Sequence, residues 1–176
     1  IQGYVPGVRE NGGQYSHAAI WTLMAFAALG EREKVYALFS MVQPLSHASD
    51  AASVQVYKVE PYVMAADVYA NESHKGRGGW TLYTGSSVCM YQFIIGSLLG
   101  MELKTDTLHF KPCFPMDWPF VSIDYRFGNS TYKIKVYQTK EDADSGWKMG
   151  EIQGNGNAIP LLDDGLEHPV EVYIRR

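Results

Sequence analysis

The pattern of apolar and polar positions changes character near residue 103. Upstream of it, apolar residues gather in segments of helical length. Ile20, Trp21, Leu23, Met24, Phe26 and Leu29, filled in by alanines, leave no polar face between His17 and Leu29. A helix that is apolar all round is predicted to be buried on all sides. Ser16 is its candidate N-cap and Gly30 its stop. From Glu31 to Gln43 the pattern differs: Val35, Leu38, Phe39 and Val42 form one stripe, with charges elsewhere, so this helix covers a surface. The tight Gly30-Glu31 turn makes the two an αα-hairpin. Pro44 to Val56 reads as a polar loop. Lys58 to Tyr69 predicts another helix, apolar nearly all round apart from Asp67. Pro61 suits its first turn, and Glu60 sits at the positive end of its dipole. After a glycine-rich loop over 71–83, Thr84-Gly85-Ser86-Ser87 opens a third buried helix, Val88 to Leu99, closed by Gly100.

Downstream the period becomes two. Thr107 to Pro112, Val121 to Phe127 and Tyr132 to Tyr137 alternate as half-buried strands do, with Gly128-Asn129-Ser130 a hairpin turn between the last two. Glu141 to Gly150 reads as a polar loop. Short strands follow over 151–153, 158–162 and 168–174, and Asp163-Asp164-Gly165 has the look of a hairpin turn. The predicted class is α+β: a helical part over 1–103, then a small antiparallel β-sandwich over 104–176.

The chain has 176 residues, 46% of them hydrophobic and 13% aromatic, which supports a packed core and excludes disorder. The net charge of −4 is thinly spread and no basic stripe appears, which argues against nucleic acid as a partner. Cys89 and Cys113 lie in apolar surroundings and read as buried free thiols. The longest apolar run, Ser86 to Leu99, is too short to span a bilayer. The opening Ile1-Gln2-Gly3 lacks a signal-peptide pattern and starts in mid-pattern, so a longer polypeptide is expected upstream.

Candidate chemistry gathers at two helix mouths. Arg9-Glu10-Asn11-Gly12-Gly13-Gln14-Tyr15-Ser16-His17 packs a cation, a carboxylate, amides and an imidazole just ahead of the first buried helix. Gly76-Arg77-Gly78-Gly79-Trp80-Thr81-Leu82-Tyr83-Thr84-Gly85-Ser86-Ser87 repeats the arrangement ahead of the third. Helix N-termini leave backbone N–H groups unpaired and are ready anion sites. Gly85 lets an oxyanion approach the backbone, and His17 can add a donor. Plain N-capping is the competing reading. Arg9 and Glu10 are either a solvated loop pair or groups that bind sugar hydroxyls. Trp80, Tyr83 and Tyr15 offer flat apolar faces for sugar rings or pack in the core. Glu60 either caps a helix or accepts from a ligand hydroxyl. His47 and His74 lack metal-ligand spacing, so no metal is expected. The carboxylate pair of an ordinary glycosidase does not assemble.

Three stretches carry a family resemblance: Arg9 to Ala19, Tyr57 to Tyr69, and Gly76 to Ser86. Together they resemble the C-terminal part of glycoside hydrolase family 94, the inverting glycoside phosphorylases. The Arg-Glu-Asn-Gly-Gly-Gln-Tyr form is most similar to the phosphorylase region of cyclic β-1,2-glucan synthases and to β-1,2-oligoglucan phosphorylases. Cellobiose phosphorylases that resemble the motif have Lys before the Glu, so Arg9 points away from a β-1,4 linkage. The resemblance implies the last helices of an (α/α)6 barrel over 1–103 and a C-terminal β-sandwich over 104–176. It implies phosphorolysis of a β-glucan to α-glucose 1-phosphate, with inorganic phosphate as co-substrate and no cofactor. His17, Thr84 and Gly85 match phosphate-binding positions, and Arg9 and Glu10 match positions that hold the acceptor-side sugar. With Gln14, Glu60 and Trp80 these last two make up the candidate substrate-binding set. The family's general-acid Asp has no match here and is expected upstream of Ile1, so the chain alone should be inactive. The expected partners are a β-glucan oligosaccharide, phosphate and the upstream part of the same polypeptide, with a homodimer as an open alternative. The expected location is cytoplasmic, including the cytoplasmic region of a membrane-bound synthase. Two rival functions remain: a non-catalytic carbohydrate-binding module, and an inverting hydrolase with Glu10 or Glu60 as base.

Overall fold

The computed structural model describes residues 3–82, 84–139 and 145–175. Two compact units emerge, residues 1–94 and 95–176. The division falls earlier than the change of pattern near residue 103. The end of the last helix is tied to the segment after residue 110: the Cys113 N–H donates to the Leu98 carbonyl at 2.9 Å and the Lys111 N–H to that of Gly100 at 2.7 Å.

In the first unit, α1 spans Ser16–Ala28 and α2 spans Arg32–Val42. Ser16 does not cap α1. It is the first helical residue, buried, and its N–H donates to the Ala66 carbonyl at 2.8 Å. The other end runs as expected: Gly30, at φ +78°, donates to Ala27 and Glu31 donates back to Phe26, a Schellman closure. The helix is not buried on all sides. Ile20 and Leu23 are fully buried, but Trp21 is 60% and Leu29 74% exposed. The helices that pack along α1 are α2 and α4 (Thr84–Gln92). Beyond α4 the chain widens into a π-helical turn, Phe93–Leu98. Among the described residues no helix is long and apolar enough to cross a membrane.

Two sequence expectations fail in the middle of this unit. The loop over 44–56 contains a helix, α3 (Ala51–Tyr57), capped by Asp50, whose Oδ1 accepts from the Ala52 and Ser53 N–H groups at 2.9 and 3.0 Å. The helix predicted from Lys58 to Tyr69 does not form. Lys58 takes a left-handed conformation that closes α3, and a turn follows in which the Val63 N–H donates to the Glu60 carbonyl at 3.0 Å. Backbone pairing elsewhere claims its hydrogen bonds. Strand β2 (Asp67–Val68) lies between β1 (Gln14–Tyr15) and β3 (Gly78–Gly79), with Asp67 opposite both Tyr15 and Gly79. Its apolar residues serve a local core instead, where Tyr57, Val59, Val63 and Ala65 pack together.

The second unit holds two sheets. Strands β4 (Met101–Lys104) and β5 (Thr107–Phe110) form a hairpin that β10 (Ala158–Pro160) joins. The larger sheet has the order β6-β7-β11-β8-β9, from Phe120–Phe127, Ser130–Thr139, Glu167–Arg175, Gly146–Met149 and Ile152–Asn155. Strand β8 occupies part of the expected 141–150 loop; residues 141–144 lie outside the described residues. The sheet is mixed, not antiparallel. Strand β11 runs parallel to β7, from Glu167 opposite Thr131 to Arg175 opposite Thr139. Period-two alternation is the same for both pairings, so the pattern could not distinguish them. It did place the core correctly: Ile134, Val136, Val170 and Val172 are buried.

The expected hairpin turn forms between β6 and β7, with Gly128-Asn129 as its two loop residues and Ser130 already in β7, opposite Phe127. Asp163-Asp164-Gly165 is not a hairpin turn, because it leads from β10 in one sheet to β11 in the other. Its carboxylates clamp the first turn instead. Asp163 Oδ1 accepts from the Asn129 N–H at 2.7 Å, and Asp164 Oδ1 accepts from the Ser130 hydroxyl at 3.0 Å. Gly128 sits at φ +58°, and a Cβ there would overlap the Asp163 carboxylate. Gly128→Ala should therefore destabilise by about 1–3 kcal/mol from backbone strain alone. Denaturant melts check this, and the cost should shrink in an Asp163→Ala background. Equal costs in both backgrounds would refute the clamp.

Candidate functional site

The loop before α1 folds back on itself. The Gly7 N–H donates to the Asn11 carbonyl at 2.8 Å and the Gly13 N–H to that of Arg9 at 2.9 Å. This reversal holds Arg9 in the left-handed region, φ +47°. Its backbone N–H then donates to Asp67 Oδ2 at 3.1 Å. Its guanidinium enters a cage of aromatic rings, 4.0 Å from the Trp80 centroid, 5.6 Å from Tyr4 and 5.7 Å from Tyr15. Its Nε is buried with no hydrogen-bond partner among the described residues. A cation over ring faces is held electrostatically without spending its donors.

The cage changes the reading of two residues. Trp80, expected as a platform for a sugar ring, turns a face to the Arg9 guanidinium. Arg9 is not one half of a loop ion pair with Glu10, whose side chain is exposed. Gln14 bonds inward, its Nε2 donating to the Ser16 hydroxyl at 3.1 Å. Glu60 is exposed on the turn after α3, where its carbonyl accepts from the Val63 N–H at 3.0 Å. With no helix starting there, the expected capping role for Glu60 falls away. Tyr83 lies outside the described residues.

The two helix mouths do meet. A Cβ placed on Gly85 would stand 3.8 Å from His17 Nδ1. Thr84 and Gly85 are exposed at the first turn of α4, whose leading N–H groups have no intrahelical acceptor. His17, half-buried, is set by its neighbours: its ring meets Trp21 edge-on at 4.7 Å and lies 6.2 Å from Tyr15. Tyr15 therefore stands between the Arg9 cage and the His17–Gly85 pair. An imidazole beside the positive end of a helix is an arrangement that can hold an oxyanion.

Asp67 is the residue to which the sequence reading attached no role. It is fully buried, and its Oδ1 has no partner among the described residues. Burial pushes its carboxyl above the ordinary range. The Arg9 N–H and the Arg9 charge oppose that shift, and Glu10 reinforces it. The available signal was a lone acid inside the apolar run Tyr62 to Tyr69. Cys89 and Cys113 are buried free thiols, and burial raises the Cys89 pKa. Among the described residues no cluster of His, Cys, Asp and Glu side chains suits a metal ion.

Residues 1–100 match the family described as the glycosyl hydrolase 94 superfamily, catalytic domain. Over 136 residues the chain is 45% identical to the cyclic beta-(1,2)-glucan synthase NdvB of Rhizobium meliloti, covering 77% of this chain and 5% of that protein. It is 27% identical over 176 residues to the solabiose phosphorylase of Paenibacillus borealis, covering 98% of this chain and 22% of that enzyme. Against the 1,2-beta-oligoglucan phosphorylase of Listeria innocua it is 26% identical over 168 residues, 87% of this chain and 14% of the other. The chain thus spans less than a quarter of the length of these relatives.

Proposed function

Because the chain belongs to the glycosyl hydrolase 94 superfamily, we propose that it supplies part of the active site of an inverting glycoside phosphorylase acting on β-1,2-glucan. The observation that carries this reading is the His17 imidazole standing beside Gly85 at the mouth of α4. Phosphate is held there by His17, Thr84 and the leading N–H groups of α4. One phosphate oxygen attacks the anomeric carbon as the bond to the departing sugar oxygen breaks. That oxygen takes its proton from a carboxylic acid supplied by upstream residues of the same polypeptide. The products are α-glucose 1-phosphate and a glucan shortened by one unit. Phosphate takes the place that activated water holds in an inverting hydrolase, so a basic carboxylate gives way to an anion site.

Arg9, fixed in its aromatic cage, and Glu10 face the acceptor-side sugar, with Gln14, Glu60 and Trp80 around them. Residues 1–103 form the last helices of an (α/α)6 barrel, and 104–176 a β-sandwich. The exposure of Trp21, Val88 and Tyr91 on α1 and α4 supports the barrel, since further helices would cover those faces. The protein acts in the cytoplasm.

The test is phosphorolysis by the intact polypeptide. β-1,2-Gluco-oligosaccharide with phosphate should release α-glucose 1-phosphate, and the 176-residue chain alone should release none. Glucose released in phosphate-free buffer would replace this reading with hydrolysis. Glucan binding without turnover and without coupling to phosphate would replace it with a binding module.

A further inference from the structure

The exposed face of the five-stranded sheet carries a row of aromatic rings. Its buried face is the row Val136, Val172 and their neighbours. The opposite face bears a row that crosses the whole sheet: Phe120 opposite Tyr137, Tyr137 opposite Tyr173, Tyr173 opposite Gly146, and Gly146 opposite Asn155. The rings touch in sequence. Phe120 and Tyr137 have centroids 5.7 Å apart, and Tyr137 and Tyr173 stack at 5.3 Å with planes 14° apart. Phe120 is 42% exposed, and the two tyrosines are half-buried. The aromatic row stops at Gly146, which has no side chain. Just there the surface opens into a cleft of about 630 Å³ beside Tyr173.

Among the described residues the cleft is lined by Thr139, Ser145, Gln153 and Asn155, with Lys148 the one charged side chain; residues 140–144, which join Thr139 to Ser145, lie outside the described residues. The amides of Gln153 and Asn155 have no hydrogen-bond partner among the described residues, and both side chains are exposed. Glu171, on the neighbouring row, already accepts from the Tyr173 hydroxyl at 2.8 Å. Charge on that row alternates, Lys135, Glu171, Lys148, so the face favours neither a polyanion nor a polycation. The Lys135 ammonium stands 5.4 Å from the Phe120 ring centroid, and the tyrosine pair beyond it leads into a concave patch of hydrogen-bonding groups; together they complement a ligand with apolar ring faces and many hydroxyls.

We propose that this face is a second, non-catalytic site that binds a neutral oligosaccharide. Sugar rings lie along Phe120, Tyr137 and Tyr173, and hydroxyls reach Gln153, Asn155 and Lys148 in the cleft. The site needs no phosphate. The choice of a β-1,2-glucan as first probe rests on the phosphorylase reading, so the probe panel also includes β-1,3- and β-1,4-gluco-oligosaccharides.

The full chain is run on native gels with and without embedded glucan, and titrated by calorimetry in phosphate-free buffer. Wild type should be retarded by at least one neutral glucan. Tyr173→Ala should weaken binding about tenfold, equivalent to about 1.4 kcal/mol. A Gln153→Ala/Asn155→Ala double variant, altered only at exposed positions, should weaken it comparably and keeps the test valid if Tyr173→Ala misfolds. No retardation of wild type by any of the glucans would overturn the proposal. So would sheet variants that bind like wild type, or binding lost with Arg9→Ala and untouched by the sheet variants. Failure of phosphorolysis in the intact protein would leave this assay unaffected, because it contains no phosphate and reads no turnover.

Discussion

His17→Ala and Thr84→Ala, made in the intact polypeptide, should each lower kcat/KM for phosphate by about 10²–10³-fold, the usual cost of removing one preorganised oxyanion donor. The imidazole and the first turn of α4 converge from two different helices, with His17 Nδ1 3.8 Å from where a Gly85 side chain would begin. Neither group can take over for the other, because each is held by its own helix. His17 is further set by Trp21 against its edge. The losses should not add fully in the double variant, since both groups would act on one anion. Thr84→Ser, which keeps the hydroxyl, should retain most activity. Steady-state kinetics with phosphate varied at saturating glucan check this, and unchanged phosphate dependence in both alanine variants would sink the assignment. Gly85→Val tests the same space sterically, since its side chain would stand where phosphate must approach. It should raise the KM for phosphate and leave melting nearly unchanged, because Gly85 is exposed and is not among the positive-φ residues.

The second large effect is expected at Asp67, and its sign depends on the replacement. Asp67→Ala should destabilise by about 1–3 kcal/mol, the cost of leaving the Arg9 N–H without its acceptor. Loss of that anchor frees the loop that presents Arg9 and Glu10, so the KM for glucan should rise as well. Asp67→Asn keeps an acceptor and removes a buried charge. The folded-state pKa of Asp67 lies above its ordinary 3.8, with burial the main cause. A group raised in this way favours the folded state fully below the unfolded pKa and loses that contribution as pH rises through the folded value. Asp67→Asn should therefore melt higher than wild type at neutral pH, with the gap closing as pH falls toward the ordinary carboxylate range. Thermal melts of wild type, Asp67→Asn and Asp67→Ala between about pH 4 and 8 read this directly. Parallel wild-type and Asn curves would show that burial does not govern this carboxyl.

Both predictions concern groups gathered from distant points of the chain, and legibility divides along the same line. Signals local in sequence were readable. The Gly30 stop of α1, the stripe on α2, the Gly128-Asn129 hairpin and the alternation of β6, β7 and β11 depend on residues within a few positions of each other. The three motif stretches were long enough to point to the family. The failures lie where long-range pairing outweighed local preference. Residues 58–69 have a helical pattern, but pairing with β1 and β3 draws Asp67 and Val68 into a sheet, and Ala66 bonds to the carbonyls of Gly79 and Trp80. The short α3 was hidden because its single local signal, Asp50 as a cap, sat within a loop-like composition.

The chain's order of residues by itself determined which segments have a face to bury, where helices stop and strands turn, and which polar groups lie at helix mouths. Those properties follow from side-chain periodicity and from backbone preferences of glycine, proline and capping residues. Only the tertiary structure decided what those polar groups do. It turned Arg9 from a loop charge into a caged cation, gave Asp67 the task of holding it, and brought His17 beside Gly85. It also ran β11 parallel to β7, so that Tyr137 and Tyr173 stack in one row. The physical reason is common to all four. Burial and pairing between residues tens of positions apart set the dielectric, the partner and the orientation of each side chain, and no local pattern encodes which distant partner will arrive.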